Sequence, residues 1–121
     1  MKVKFYSYQR GDSNLSFEAD CQLIDGGYKF EDKKNIGTSI YVKPISSKEI
    51  LLKRSGNINS EINYIEGKRT KSMYHSESLS FPFEVNTYNV KVTNNHISFE
   101  YDYFYENELI GNIRIVLLIK E

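Results

Sequence analysis

HISFEYDYFYENELIGNIRIVLLIKE, residues 96–121, decides the fold, because it is the longest clean two-residue alternation in the chain. Ile97, Phe99, Tyr101, Tyr103 and Tyr105 share one face of an extended segment, and Ser98, Glu100 and Asp102 share the other. After the polar break Glu106-Asn107-Glu108, the pattern returns with Ile113, Ile115, Leu117 and Ile119. Successive side chains of a strand point to opposite sides of the pleat, so this spacing predicts two paired strands with one apolar face. A lone hairpin is marginal in water, and the rest of the chain has to supply the surface that covers that face.

Upstream, Asn94-Asn95 is a turn into this hairpin. Leu79, Phe81, Phe83 and Val85 occupy odd positions, whereas Val90 and Val92 occupy even ones, so a bulge or bend is expected near Asn86 to Asn89. Pro82 puts this strand at an edge, or turns its missing N–H away from the neighbour. Ile58, Ser60, Ile62 and Tyr64 alternate down to Glu66-Gly67, a tight hairpin signal into Arg69 to His75. Ile50 and Leu52 share a strand side with Arg54 before Ser55-Gly56-Asn57 turns the chain. Thr38 to Lys43 carries Ile40 and Val42 on one face and is expected to close at Pro44, which has no N–H for a ladder. Asp32-Lys33-Lys34-Asn35 reads as an exposed loop after a short strand from Tyr28 to Glu31. Asp25-Gly26-Gly27 ends a strand running through Leu15, Phe17, Ala19 and Cys21 to about Ile24. Val3, Phe5 and Ser7 mark the first strand, which stops in the turn cluster Gln9-Arg10-Gly11-Asp12-Ser13-Asn14.

Nine or ten short strands and no amphipathic helix make an all-β chain. Ten Tyr and seven Phe against a single Ala agree with that, since rings suit a pleated surface and Ala favours helix. At 121 residues the chain fits one domain, 1–121. Consecutive hairpin links suit a single antiparallel up-and-down barrel of about 8–10 strands, and closure removes the exposed edges that a sheet this long would carry.

Sixteen Lys plus Arg balance sixteen Asp plus Glu, for a net charge of zero and a pI near 6.7. That argues against a nucleic-acid partner, whose binder needs a basic surface to neutralise phosphates. Lys68-Arg69-Thr70-Lys71 is most simply a solvated turn and strand edge. Cys21 is alone, so neither an intrachain disulfide nor a Cys-built metal site is expected, and a reducing, cytoplasmic setting is allowed. The first residues lack the apolar run of a signal peptide, and no stretch approaches the ~18 apolar residues of a membrane span. The expectation is a soluble cytoplasmic protein with no membrane partner. His75 and His96 lie on separate elements far from Cys21, so no metal site is expected. Ser72 to Ser80 with His75 and Glu77 lacks the strand–turn–helix elbow of a hydrolase, so neither catalytic residues nor a cofactor are expected, and the chain reads as a non-enzyme. Glu100 and Asp102 point away from the ring-bearing face, to the solvent side.

Arg54-x-Gly56, Tyr64-x-x-Gly67, Val85-x-Thr87, Ile97-x-Phe99-x-Tyr101 and Gly111 with the alternating Ile113, Ile115 and Leu117 follow one another in an order and spacing that resembles a family of small, uncharacterised bacterial proteins, the YwiB-like family. The resemblance runs from the middle of the chain to its end and implies a calycin-type barrel, related in shape to lipocalins, in a bacterial cytosol. It implies no activity. The chain departs from the family at His75-Ser76-Glu77-Ser78, where a Thr-Pro-type turn with glycine is frequent.

Arg54 shares parity with Ile50 and Leu52. If their face is the interior, its guanidinium stands at the barrel mouth, with its fork available to a carboxylate or phosphate; otherwise it closes the barrel end by bonding carbonyls. Tyr101 and Tyr103, with Tyr64 and Tyr74 as neighbours, either line a cavity or fill the barrel. The functional expectation is non-catalytic binding of a small, partly apolar, anionic ligand in or at the mouth of the barrel by Arg54, Tyr64, Tyr74, Tyr101 and Tyr103. The second reading is a filled barrel that works as a homodimer or protein-interaction module through its outer surface, near Pro82 or on exposed Phe104 and Tyr6.

Overall fold

Ten strands follow one another around a closed barrel: β1 (Lys2–Gln9), β2 (Leu15–Ile24), β3 (Gly27–Glu31), β4 (Thr38–Ser46), β5 (Glu49–Gly56), β6 (Ile58–Ile65), β7 (Arg69–Ser76), β8 (Ser80–Val92), β9 (His96–Tyr105) and β10 (Glu108–Lys120). They are seen in a computed structural model that describes residues 1–10 and 14–121. Every strand pairs antiparallel with the next, and β1 pairs with β10 from Lys2↔Lys120 to Gln9↔Ile113 to close the ring. The all-β barrel expected from the alternation is therefore the fold. The turn expected over Gln9 to Asn14 includes 11–13, which lie outside the described residues.

Inward-facing alternate residues fill the half of the barrel that holds both termini. Val3, Val42, Ile50, Leu52, Ile97 and Leu117 are each at most 1% exposed. Fully burying side chains of this size stabilises by about 1.5–3 kcal/mol apiece. Phe5 stacks on Phe17 at 5.2 Å and meets Phe30 at 5.9 Å, which fills the β1–β2–β3 corner. The opposite end, carrying the β5–β6, β7–β8 and β9–β10 connections, is where packing gives way to open space.

The C-terminal hairpin turns through Glu106 (φ 51°) and Asn107 (φ 65°). Positive φ at both central residues matches the right-handed twist of the flanking strands. The parity change in β8 is a bulge: pairing with β9 shifts between Tyr88 and Lys91, and Asn89 has φ 56°. Pro82 is a local edge within the closed ring, because β9 pairs with β8 only from Glu84↔Phe104 onward.

Four expectations are corrected. Asp32 is 5% exposed, although Lys33, Lys34 and Asn35 of the same loop are exposed as expected. Its carboxylate accepts the amides of Lys34 (2.9 Å) and Asn35 (3.2 Å) and the Asn35 side-chain amide (3.0 Å), the local bonding that makes aspartate a turn former. Pro44 does not close β4, which continues to Ser46 with Pro44 opposite Ile50 and a register shift after it. The β3 ladder stops at Val42, so β4 has a single neighbour there and the missing N–H is tolerated. Glu66-Gly67 does not make a tightly laddered hairpin, since β6 and β7 pair only at Ile58↔Ser76 and Asn59↔His75. Gly67 N instead donates to Thr87 O at 2.8 Å, and the Thr70 and Ser72 hydroxyls bridge to the carbonyls of Asn63 (2.8 Å) and Glu61 (2.6 Å). Finally, Tyr6 and Phe104 are half-buried rather than exposed. Tyr6 lies against Tyr8 at 6.0 Å, and the Arg69 guanidinium covers Phe104 at 4.0 Å.

Candidate functional site

The open end of the barrel holds a cavity of about 650 Å³ between β5, β7, β8, β9 and β10. Exposure along β9 gives its depth. Tyr101 is 8% exposed, Tyr103 is half-buried and Tyr105 at the rim is 40% exposed. Period-2 alternation puts all three on the inner face, with Tyr74 from β7, Phe81 and Phe83 from β8 and Ile113 from β10 completing the wall.

Arg54 comes from β5, two residues past Leu52, and its inward parity brings it to this cavity. It is half-buried, and among the described residues it makes no ion pair. Gly56 follows because a Cβ there would collide with the Gly37 carbonyl, so the glycine lets β4 and β5 close up beside the mouth. Burial pushes the Tyr101 phenol above its ordinary range, and the Arg54 charge opposes the rise. Tyr64 is pushed well above the ordinary range, first by burial and then by Tyr101, again opposed by Arg54. The guanidinium therefore acts electrostatically on both phenols.

Of the five residues singled out from the sequence, Arg54, Tyr74, Tyr101 and Tyr103 border this one cavity. Tyr64 does not. It is 3% exposed, with its ring 4.7 Å from Tyr101 and 4.4 Å from Phe99, and it supports the wall from behind. Tyr103 is held by two contacts: its hydroxyl accepts the Gln9 side-chain amide at 3.2 Å, and its ring lies against Gly111, where a Cβ would come within 2.9 Å of Cε1. Phe81, Phe83, Leu79, Ile110 and Ile113 also line the cavity and were not singled out. Phe81, Phe83 and Ile113 were legible as inward alternate positions. Ile110 was not, because it is the extra residue of a register shift between Leu109 and Gly111.

At the rim, where Ser80 also borders the cavity, His75 Nδ1 lies 2.9 Å from Ser80 Oγ across the β7–β8 hairpin, and both residues are exposed. Arg69 and Lys71 both reach Glu84, at 2.6 and 3.6 Å, so two of the three cations of the basic run share one carboxylate. Asp102 accepts from Asn112 at 3.0 Å and from Tyr88 at 3.4 Å, and Glu100 accepts from Asn89 at 3.3 Å, so both carboxylates serve the outer wall. Among the described residues, no three His, Cys, Asp or Glu side chains gather into a metal-binding group, and no helix is long and apolar enough to cross a membrane. Cys21 is buried and unpaired, and burial raises its thiol pKa.

No curated protein matches the sequence. Among solved structures, the chain is similar to the ywiB protein from Bacillus subtilis, with a TM-score of 0.64 at 14% identity over 99% of this chain and 89% of that one. At that identity the likeness speaks for the fold alone, and it agrees with a calycin-like barrel. The family model described as "Domain of unknown function (DUF1934)" matches residues 5–117, nearly the whole barrel, and the chain belongs to that YwiB-like family.

Proposed function

We propose that this barrel is a non-catalytic binder of a small, partly apolar, anionic ligand, taken up at its open end. The observation that carries the reading is Arg54: a half-buried guanidinium, without an ion pair among the described residues, in a cavity whose other walls are rings and aliphatic groups apart from Ser80. Partial desolvation of an unpaired charge is costly, and a ligand carboxylate, sulfonate or phosphate would offset that cost with a bidentate bond. Tyr74, Tyr101 and Tyr103 would supply apolar contact with one polar tip each, and Tyr64 would hold Tyr101 in place. The reading needs no cofactor, metal or nucleic acid, and it suits a cytoplasmic protein whose one thiol stays reduced.

The test uses 1-anilinonaphthalene-8-sulfonate, an aromatic anion that fluoresces on entering apolar surroundings. Arg54→Ala should weaken its binding roughly tenfold, the size of one lost charge-assisted bond. Unchanged affinity would remove Arg54 from the site. Native mass spectrometry of protein purified gently from its own cells would then give the mass of the natural occupant.

A second reading draws on the rim, where Leu79 (54% exposed), Leu109 (59%) and Ile110 (50%) stand in solvent beside the mouth. Such a patch suits a protein partner or a second copy that caps the cavity. A mass that doubles with concentration in light scattering, and returns to that of a monomer in Leu109→Lys, would favour it.

A further inference from the structure

The outer wall carries a second polar depression, on the far side of the sheet from the mouth cavity. It has a volume of about 390 Å³, and the side chains around it are Asn89, Lys91, His96, Ser98, Glu100 and Arg114. It exists because a small residue sits among long ones. Ser98 pairs with Lys91 on one side and Val116 on the other, while the bulge of β8 sets two residues, Asn89 and Val90, against Phe99. Phe99 turns its ring inward against Tyr64, so it offers main chain here.

Three features of the depression favour an anion. Ser98 is 3% exposed, yet among the described residues no hydrogen bond engages its hydroxyl, which borders the depression. The two buried threonines lie elsewhere: Thr38 Oγ1 accepts the Ile58 amide at 3.3 Å, and Thr87 faces the interior. Lys91 and Arg114, on strands either side of β9, both border the depression and make no ion pair among the described residues. Glu100, the one carboxylate of the lining, accepts the Asn89 side-chain amide. Two cations, an imidazole and a seryl donor face one carboxylate, Glu100, which stands opposite Arg114 in the β9–β10 register and leaves the lining with a net positive charge.

We propose that this depression binds a phosphate-type oxyanion. Lys91 and Arg114 clamp it from opposite sides, and Ser98 donates from the floor. The same chemistry is presented by a soluble phosphate and by a phospholipid headgroup.

The experiment follows backbone amide NMR shifts during titration with inorganic phosphate at fixed ionic strength. Saturable shifts at Lys91, Ser98 and Arg114 are expected, with affinity falling roughly tenfold or more in Lys91→Gln/Arg114→Gln, which keeps the aliphatic stems and the fold. Arg54→Ala should leave these shifts intact, which separates this site from the mouth cavity. Absent shifts, shifts that survive the double substitution, or shifts abolished by Arg54→Ala would each overturn the proposal. Sedimentation with phosphatidic acid vesicles identifies the source: co-sedimentation lost in the double variant assigns a lipid headgroup, and phosphate binding without co-sedimentation assigns a soluble phosphate.

Discussion

Glu66 Oε1 accepts the main-chain amide of Val90 at 2.9 Å, tying the turn between β6 and β7 to the bulge in β8. The bulge takes Val90 out of the β9 register, and the carboxylate supplies the partner that its amide needs. Lys48 Nζ holds the other oxygen of the same carboxylate at 2.6 Å. One side chain therefore ties two connections, β4–β5 and β6–β7, to the β8 bulge at the end that holds the termini.

The Lys48 bond first, and the Val90 amide second, hold the Glu66 carboxyl below its usual range. A carboxyl with a lowered folded-state pKa adds stability above its unfolded value, near pH ~4.3, and that stability is lost as pH falls through the folded value. Glu66→Gln should lower Tm by roughly 2–6 °C at neutral pH. The gap between variant and wild type should close in acid, where wild-type Glu66 is also neutral. Melting curves across a pH series check this, and a gap constant with pH would refute it. Because Lys48 is exposed, salt should narrow part of the neutral-pH gap and leave the Val90 part.

Thr87 is 1% exposed, and its Oγ1 is buried with no hydrogen-bond partner among the described residues. An orphaned buried hydroxyl costs about 1–3 kcal/mol of desolvation, so replacing it with a methyl of similar shape removes a penalty rather than a bond. Thr87→Val should raise stability by about 1 kcal/mol, whereas Thr87→Ser, which keeps the hydroxyl and loses the methyl, should lower it by about 1 kcal/mol. Denaturant unfolding of both variants measures the two signs, and a destabilised Thr87→Val would show that the hydroxyl has a partner in solution.

Period 2 made the barrel legible because a strand with one buried face leaves its pattern in the residues themselves. Ile97, Phe99 and Tyr101 had one arrangement open to them, and Arg54 inherited its direction from Ile50 and Leu52. The seam between β6 and β7 left no such trace, since Thr70 and Ser72 fit a laddered strand as well as one bridged by hydroxyls. Asp32 and Ser98 were misleading for a related reason. A short polar side chain reads as solvent-facing, and whether it is buried depends on neighbours distant in sequence, such as Val116 beside Ser98. The cavity likewise depends on which inward rings stop short of one another at the barrel mouth, and alternation carries no information about volume.

Gly111 controls the wall of the mouth cavity through Tyr103. A Cβ at Gly111 would lie 2.9 Å from Tyr103 Cε1 and 3.0 Å from its hydroxyl oxygen, so Gly111→Ala has to displace the ring and strain its bond from Gln9. Overpacking of this kind costs about 1–3 kcal/mol. Removing the ring as well, in Gly111→Ala/Tyr103→Ala, should recover part of that loss, a coupling that a double-mutant cycle measures. Simple additivity of the two changes would mean that the ring does not rest on Gly111.

Arg54 and the buried phenols provide the last test, independent of any ligand. Burial raises the pKa of Tyr101 and Tyr64 in the folded chain, so the folded state keeps protons that the unfolded state releases. The stability this confers is complete below the ordinary tyrosine range near pH ~10 and is lost as pH rises toward the folded values. Alongside Tyr88, which burial and Asp102 also raise, Tyr64 and Tyr101 should therefore titrate late in the tyrosinate absorbance of the folded protein. Arg54 opposes both rises, so Arg54→Ala removes the nearby positive charge that favours the tyrosinates and should move those groups still later. Arg54→Lys keeps a charge on a different stem and should restore most of the wild-type curve. If Arg54→Ala leaves the late titration where it was, the guanidinium does not face the phenols, and the arrangement at the mouth of the barrel is wrong.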